Sequence, residues 1–214
     1  MSLEPLRRFV RNNRSLYDFL RPGRDALEYA LWVAKSRPLP PPHVTKARRV
    51  REYGQRFHTP ILVETGTFLG GMIEVNKRHF ERVYSIELDD ELYENAVKRF
   101  EAFDHISILH GDSGEVLPRL LEEIGRPCLF WLDGHYSGGQ TARGPLDTPI
   151  AQEIDAILSH PVENHVMLID DAHEFVGADD YPTLEELRRM IHARRPEYVF
   201  SVDEEMIRVH PPSG

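Results

Sequence analysis

Five successive apolar runs in this sequence end in acids: Glu64 closes the first, Glu87 the second, Asp112 follows the third, Asp133 closes the fourth, and Asp170 with Asp171 the fifth. If the runs are strands of one parallel sheet, these side chains share an edge, and they repel one another unless a cation or a donor-rich ligand compensates. Asp133, Asp170 and Asp171 leave two strands expected to be neighbours, so their carboxylates can converge. With water and substrate oxygens they would make a hard, octahedral oxygen site of the kind Mg²⁺ or another hard divalent cation prefers. Zinc is disfavoured, because the one cysteine is misplaced and no paired histidine spacing is present. His135 and His173 stand beside these acids, and an ordinary imidazole is suited to taking a proton.

The first run opens ILVETGTFLGG, residues 61–71, which reads as a buried strand feeding a helix through a glycine turn. Gly66 can take the tight turn, and Gly70 with Gly71 lets the next helix start close to a ligand. Glu87 ends the neighbouring strand, the place where a ribose diol sits in nucleotide-binding sheets. Competing with these readings are helix capping for Asp112 with Ser113, and surface acids for the rest.

Strand-like and helix-like segments alternate from Ile61 onward, as in a parallel sheet covered on both faces, and EYVFSVD with EMIRVHP can close as a hairpin. The expectation is an α/β fold with a doubly wound, mostly parallel seven-stranded sheet and an N-terminal helical appendage. Residues 1–45 form the appendage, ending in a proline-rich spacer at Pro38 to Pro42, and 46–214 form the main domain. Apolar positions such as Leu6, Phe9, Val10, Leu16, Phe19, Leu20, Leu27 and Leu31 give the appendage amphipathic helices, suited to capping a site or building a homodimer. The helix after the glycine loop is expected to run to about Phe80.

The chain has 214 residues, 41% hydrophobic and 29% charged, and a formal net charge of −9 that argues against nucleic acid or an anionic membrane as partner. No apolar stretch approaches the ~20 residues of a membrane helix and no signal region opens the chain, so a cytoplasmic location is expected. Cys128, inside PCLFWLD, reads as a buried small apolar residue. GHYSGGQTARG, residues 134–144, is expected to be a mobile lid, and Glu153 in the following helix to be solvated.

From Ile61 to His210 the pattern resembles the class I S-adenosylmethionine-dependent methyltransferases, and more narrowly the metal-dependent O-methyltransferases of the catechol and macrolide-sugar types. Glu64, Gly66, Phe68 and Gly70 occupy the places of their acid-x-Gly-x-aromatic-x-Gly loop. The resemblance implies that Glu87 holds the ribose hydroxyls and that Asp112 and Ser113 lie beside the adenine. Glu64, Thr67 and the loop backbone would face the methionine end, with Leu88 and Asp133 also at the cofactor. It implies a Mg²⁺ on Asp133, Asp170 and Asp171. The base of the catechol type, a lysine, has no counterpart, since Tyr136 stands there; the histidine of the macrolide-sugar type corresponds to His173, and His135 is the runner-up.

The implied activity is methyl transfer to a hydroxyl of a small molecule, a sugar or a secondary metabolite, assisted by the cation. Two alternatives stand beside it: a metal-using tailoring enzyme, since some relatives of this pattern have been described as hydroxylases, and a non-catalytic cofactor-binding relative. A nicotinamide oxidoreductase is disfavoured, because Phe68 replaces the middle glycine of a dinucleotide loop and three aspartates are left without a role.

Overall fold

The structure, a computed structural model, describes residues 14–134 and 148–212, with side chains from residue 23 onward. It divides into two compact units at Arg48 and Arg49. In the first, helix α1 (Arg14–Ala34) is followed by the start of α2 (His43–Arg56). Trp32 anchors that segment locally: its indole N–H donates to the Pro38 carbonyl at 2.8 Å. Leu6, Phe9 and Val10 lie outside the described residues.

The second unit is a seven-stranded sheet in the order β3-β2-β1-β4-β5-β7-β6. Its strands are β1 (Ile61–Thr65), β2 (Arg82–Glu87), β3 (Ile106–His110), β4 (Cys128–Leu132), β5 (Val166–Ile169), β6 (Val199–Asp203) and β7 (Met206–His210). The helices are α3 (Gly71–Asn76), α4 (Asp90–Phe100), α5 (Ser113–Glu122), α6 (Ile150–Ser159) and α7 (Leu184–Arg194). β1 to β5 pair in parallel, while β7 runs antiparallel to both β5 and β6. The seven-stranded, mostly parallel sheet is the one expected from the sequence, hairpin included.

Every residue of β1, β4 and β5 is buried, which is why Ile61–Val63, β4 and β5 read as continuous apolar runs rather than alternating ones. Phe130 and Trp131 are essentially inaccessible, and truncating either to alanine should cost about 3–5 kcal/mol. Cys128 is also fully buried, and burial pushes its thiol up to about 12, as an inert core residue requires. α3 stops at Asn76, short of the expected Phe80, where the Lys77 and His79 N–H groups bond back to Ile73 and Asn76 and the chain turns into β2. α7 starts with a complete capping box between Thr183 and Glu186.

Strand order reverses between β1 and β4, each of which pairs with the other and then with a strand on its far side. The carboxyl ends of these strands form the crevice in which an open α/β sheet takes ligands. Register delivers the acids there: Glu64 lies opposite Ser85, Glu87 opposite His110, and Leu132 opposite Ile169, so Asp133 and Asp170 leave the sheet side by side.

Candidate active site

The β1 loop is latched onto its neighbours. Gly66 and Thr67 donate their N–H groups to the Ile86 carbonyl at 3.0 and 3.3 Å, and Gly70 donates to Thr67 at 2.8 Å. Gly66 has φ +83°, and a Cβ there would sit 2.5 Å from the Asp133 carbonyl oxygen, so the loops after β1 and β4 touch backbone to backbone. Gly70, at φ +70°, serves packing rather than ligand approach: a Cβ would strike the Phe100 ring of α4 at 2.7 Å. α3 itself has only six residues, and the Gly66, Thr67, Phe68 and Gly70 N–H groups before it are already bonded within the protein.

Glu87 is buried and held by two backbone donors: Phe68 N–H bonds Oε2 at 2.7 Å and Asp89 N–H bonds Oε1 at 3.0 Å. Each carboxylate oxygen keeps a further lone pair, so the group can accept from a vicinal diol. Phe68 takes φ +47° to present that N–H, and its ring stays 46% exposed at the rim. Glu64 is fully buried; the Ser85 hydroxyl donates to its Oε2, and Thr67 bonds Ser85 at 2.6 Å. Burial pushes Glu64 up to about 8, with the nearby Glu87 charge adding to it against the Ser85 bond. The acid row expected to be uniformly anionic therefore has a member that is mostly neutral near pH 7.

Asp112 caps α5, its Oδ1 accepting from Gly114 N–H at 2.8 Å, so the capping reading describes its local role. Ser113 is buried next to it, and Leu88 is half-buried at the end of β2.

Across the reversal point, ligand oxygens of Asp133, Asp170 and Asp171 all lie within 4.8 Å of one another. Asp133 N–H donates to both the carbonyl and the hydroxyl of Thr65, at 3.2 and 3.3 Å. Asp170 N–H continues the ladder to Leu132 O at 3.0 Å, and Asp171 takes φ 49°, which turns the chain at this point. Three carboxylates in this span are a donor set of the right type for a hard divalent cation and for no soft metal. Beside them is a small open pocket lined by Asp133, Asp170, Thr148, Glu153, Phe175 and Tyr181, among others.

Glu153 is not solvated, contrary to expectation. It is 1% exposed and accepts from the Ser113 hydroxyl at 2.5 Å; burial pushes it up to about 7, against the Ser113 and Thr65 side chains, which favour its charged form. The signal was in the helical phase: Ile150, Glu153, Ile154, Ile157 and Leu158 share the buried face of α6.

His173, in a single 3₁₀ turn (Ala172–Glu174), is exposed, with Nδ1 2.8 Å from Glu205 Oε2 and Nε2 3.2 Å from Glu174 Oε1. The Glu205 hydrogen bond, then the Asp171 and Glu205 charges, hold its pKa above the ordinary range. Glu205 comes from the β6–β7 turn, where both Glu204 and Glu205 have positive φ, 55° and 60°. This turn is pinned by Glu204, which binds Arg49 at 2.7 Å and Arg208 at 3.0 Å, and by Ala172 N–H donating to Glu205 O at 3.0 Å. His135 and the rest of the expected lid after Gly134 fall outside the described residues.

No protein-family model and no curated protein matches the sequence. Solved structures do match in three dimensions. The O-methyltransferase TomG from Streptomyces achromogenes, involved in tomaymycin synthesis and solved in complex with SAM, is 15% identical over 88% of this chain and 89% of its own, with a TM-score of 0.55. An O-methyltransferase from Bacillus cereus in complex with SAH is 14% identical over 87% and 90%, with a TM-score of 0.57. MycE from the mycinamycin biosynthetic pathway, in complex with Mg, SAH and mycinamycin VI, is 16% identical over 78% of this chain but 48% of its own, with a TM-score of 0.54. The chain has the Rossmann-like fold of the class I S-adenosylmethionine-dependent methyltransferases. Among the described residues, no helix is long and apolar enough to cross a membrane.

Proposed function

We propose that the protein is an S-adenosylmethionine-dependent O-methyltransferase, assisted by Mg²⁺ or a similar cation, acting on a hydroxyl of a small molecule such as a sugar or secondary metabolite. The observation that carries the reading is Glu87, a buried carboxylate oriented by the β1 loop at the end of β2, in the same sheet whose β4 and β5 end in an acid trio. The solved neighbours hold SAM or SAH on the same fold, and MycE also holds Mg.

In this reading Glu87 accepts the ribose hydroxyls and Ser113 and Asp112 flank the adenine. Glu64, Thr67, Phe68, Leu88 and the loop from Gly66 to Gly70 line the rest of the cofactor. S-adenosylmethionine supplies an electrophilic methyl group, and the cation lowers the pKa of the acceptor hydroxyl. Asp133, Asp170 and Asp171 would hold the cation, and the Gly66–Asp133 contact sets the loop after β1 against the loop that supplies the first of these aspartates. His173 is the proposed base: Glu205 orients the ring through Nδ1, which leaves Nε2 as the atom that takes the proton once it parts from Glu174. His135 is the alternative.

The acidic net charge favours a small or cationic acceptor over nucleic acid. The cytoplasm is the proposed location, and a homodimer the proposed assembly. The test is a screen of hydroxylated metabolites for S-adenosylhomocysteine release, with and without a chelator. Release that requires a divalent cation is expected; failure of the wild-type protein to bind S-adenosylhomocysteine by calorimetry removes the proposal.

A further inference from the structure

A carboxylate in the middle of the apolar face of α6 costs solvation that a leucine would not. Ile150, Ile154, Ile157 and Leu158 already supply the packing of that face. Glu153 instead collects hydroxyl donors from two different elements. Ser113, the first residue of α5, donates to Oε1 at 2.5 Å, and the side chain of Thr65, the last residue of β1, also favours the charged form of this carboxyl. The Thr65 hydroxyl in turn accepts the Asp133 N–H at 3.3 Å. Gly134 completes the junction, since a Cβ there would meet Thr65 Oγ1 at 3.1 Å and Ser113 Oγ at 3.4 Å.

From these contacts we infer that Glu153 is a positioning residue, whose buried carboxyl ties Ser113 on the adenine side to Thr65 and Asp133 on the acid-trio side and so sets the spacing between the two halves of the site. The inference rests on the nucleoside-binding reading above. Glu153 acts through Ser113 and Thr65, and it needs no contact with either ligand. Removing the carboxyl frees the Ser113 hydroxyl to rotate and leaves Thr65 with an unanswered buried proton, so nucleoside affinity falls even where the fold survives.

The test is calorimetric titration of S-adenosylhomocysteine into wild type, Glu153→Leu, Glu153→Gln, Ser113→Ala and the Glu153→Leu/Ser113→Ala double variant, with a urea midpoint recorded for each. Glu153→Leu keeps the apolar face but removes both acceptors, and affinity should drop roughly tenfold or more. Glu153→Gln keeps an acceptor oxygen and should restore affinity to within about threefold of wild type. The double variant should lose no more than the worse single one, the signature of residues acting as a unit.

Wild-type affinity in a folded Glu153→Leu, or losses that multiply in the double variant, overturns the inference while leaving the proposed function intact. If Glu153→Leu does not fold, Ser113→Ala and Thr65→Val decide: weakened binding in both supports the tie, and unchanged binding in both overturns it. Absence of binding by wild type overturns the function and this inference together.

Discussion

The Phe68 N–H donates to Glu87 Oε2 at 2.7 Å, so the loop after β1 is tied directly to the acid that ends β2. Phe68 adopts φ +47° to make this bond, a backbone choice that costs a non-glycine residue about 1–2 kcal/mol. A hydrogen bond to a charged acceptor is large enough to offset it.

Glu87→Ala removes both the diol acceptor and the group that orders the loop. S-adenosylhomocysteine affinity is expected to fall at least about a hundredfold, from charge-assisted bonds worth ~1.5–3 kcal/mol each. Calorimetry decides it: a dissociation constant equal to wild type would show that the ribose is held elsewhere.

Asp170→Asn separates metal binding from folding. With ligand oxygens of three carboxylates within 4.8 Å, loss of one charge relieves repulsion, so the cation-free protein should keep or raise its melting midpoint. The stabilisation that wild type gains from added Mg²⁺ or Mn²⁺ should disappear. A scanning-calorimetry series in which the variant still gains the wild-type increment would refute the trio as the cation site.

Gly66→Ala tests the contact between the two loops. The new methyl would lie 2.5 Å from the Asp133 carbonyl at a φ of +83°. Destabilisation of about 2 kcal/mol or more is expected in urea titration. Gly125→Ala, where a Cβ meets nothing within 4 Å, should stay within about 0.5 kcal/mol of wild type.

A buried imidazole pair makes stability pH-dependent away from the site. Cys128 N–H donates to His165 Nδ1 at 3.0 Å, His165 Nε2 meets His160 Nδ1 at 2.9 Å, and His160 Nε2 meets the Leu121 carbonyl at 2.9 Å. This chain closes only if both rings are neutral. Burial, with the nearby His160 and Arg195, pushes His165 down to about 4 from an ordinary 6.5. The unfolded chain therefore binds the proton more readily, so the contribution is complete above pH 6.5 and lost as pH falls towards 4. The loss should approach roughly 3 kcal/mol. Urea unfolding of wild type and His165→Gln at pH 7, 6, 5 and 4.5 reads it, the variant showing the flatter profile; parallel profiles would reject the assignment.

Much of the sheet was legible because its inner strands are buried on both faces: Ile61 to Val63 and Cys128 to Leu132 contain nothing but apolar side chains. The meeting of Asp133 with Asp170 and Asp171 followed from strand ends alone, since register in a parallel sheet leaves neighbouring ends level. Glu153 was misread because its charge was given more weight than its place in the apolar stripe of α6. Glu205 was invisible for a different reason: it reaches His173 from 32 residues away, through a hairpin turn whose two positive-φ glutamates look nothing like the usual Asn-Gly signal. Gly70 was recognised as necessary but for the wrong neighbour, because only packing reveals the Phe100 ring above it.

β6 precedes β7 in the chain yet joins the sheet only through it, in the order β5-β7-β6. During synthesis, residues 199–203 leave the ribosome with no strand to receive them, and the flank of β5 stays an open template for foreign chains until Met206–His210 emerge and slot between. The Glu204–Glu205 turn, and with it the grip on His173, is consequently completed only once β7 has paired with β5.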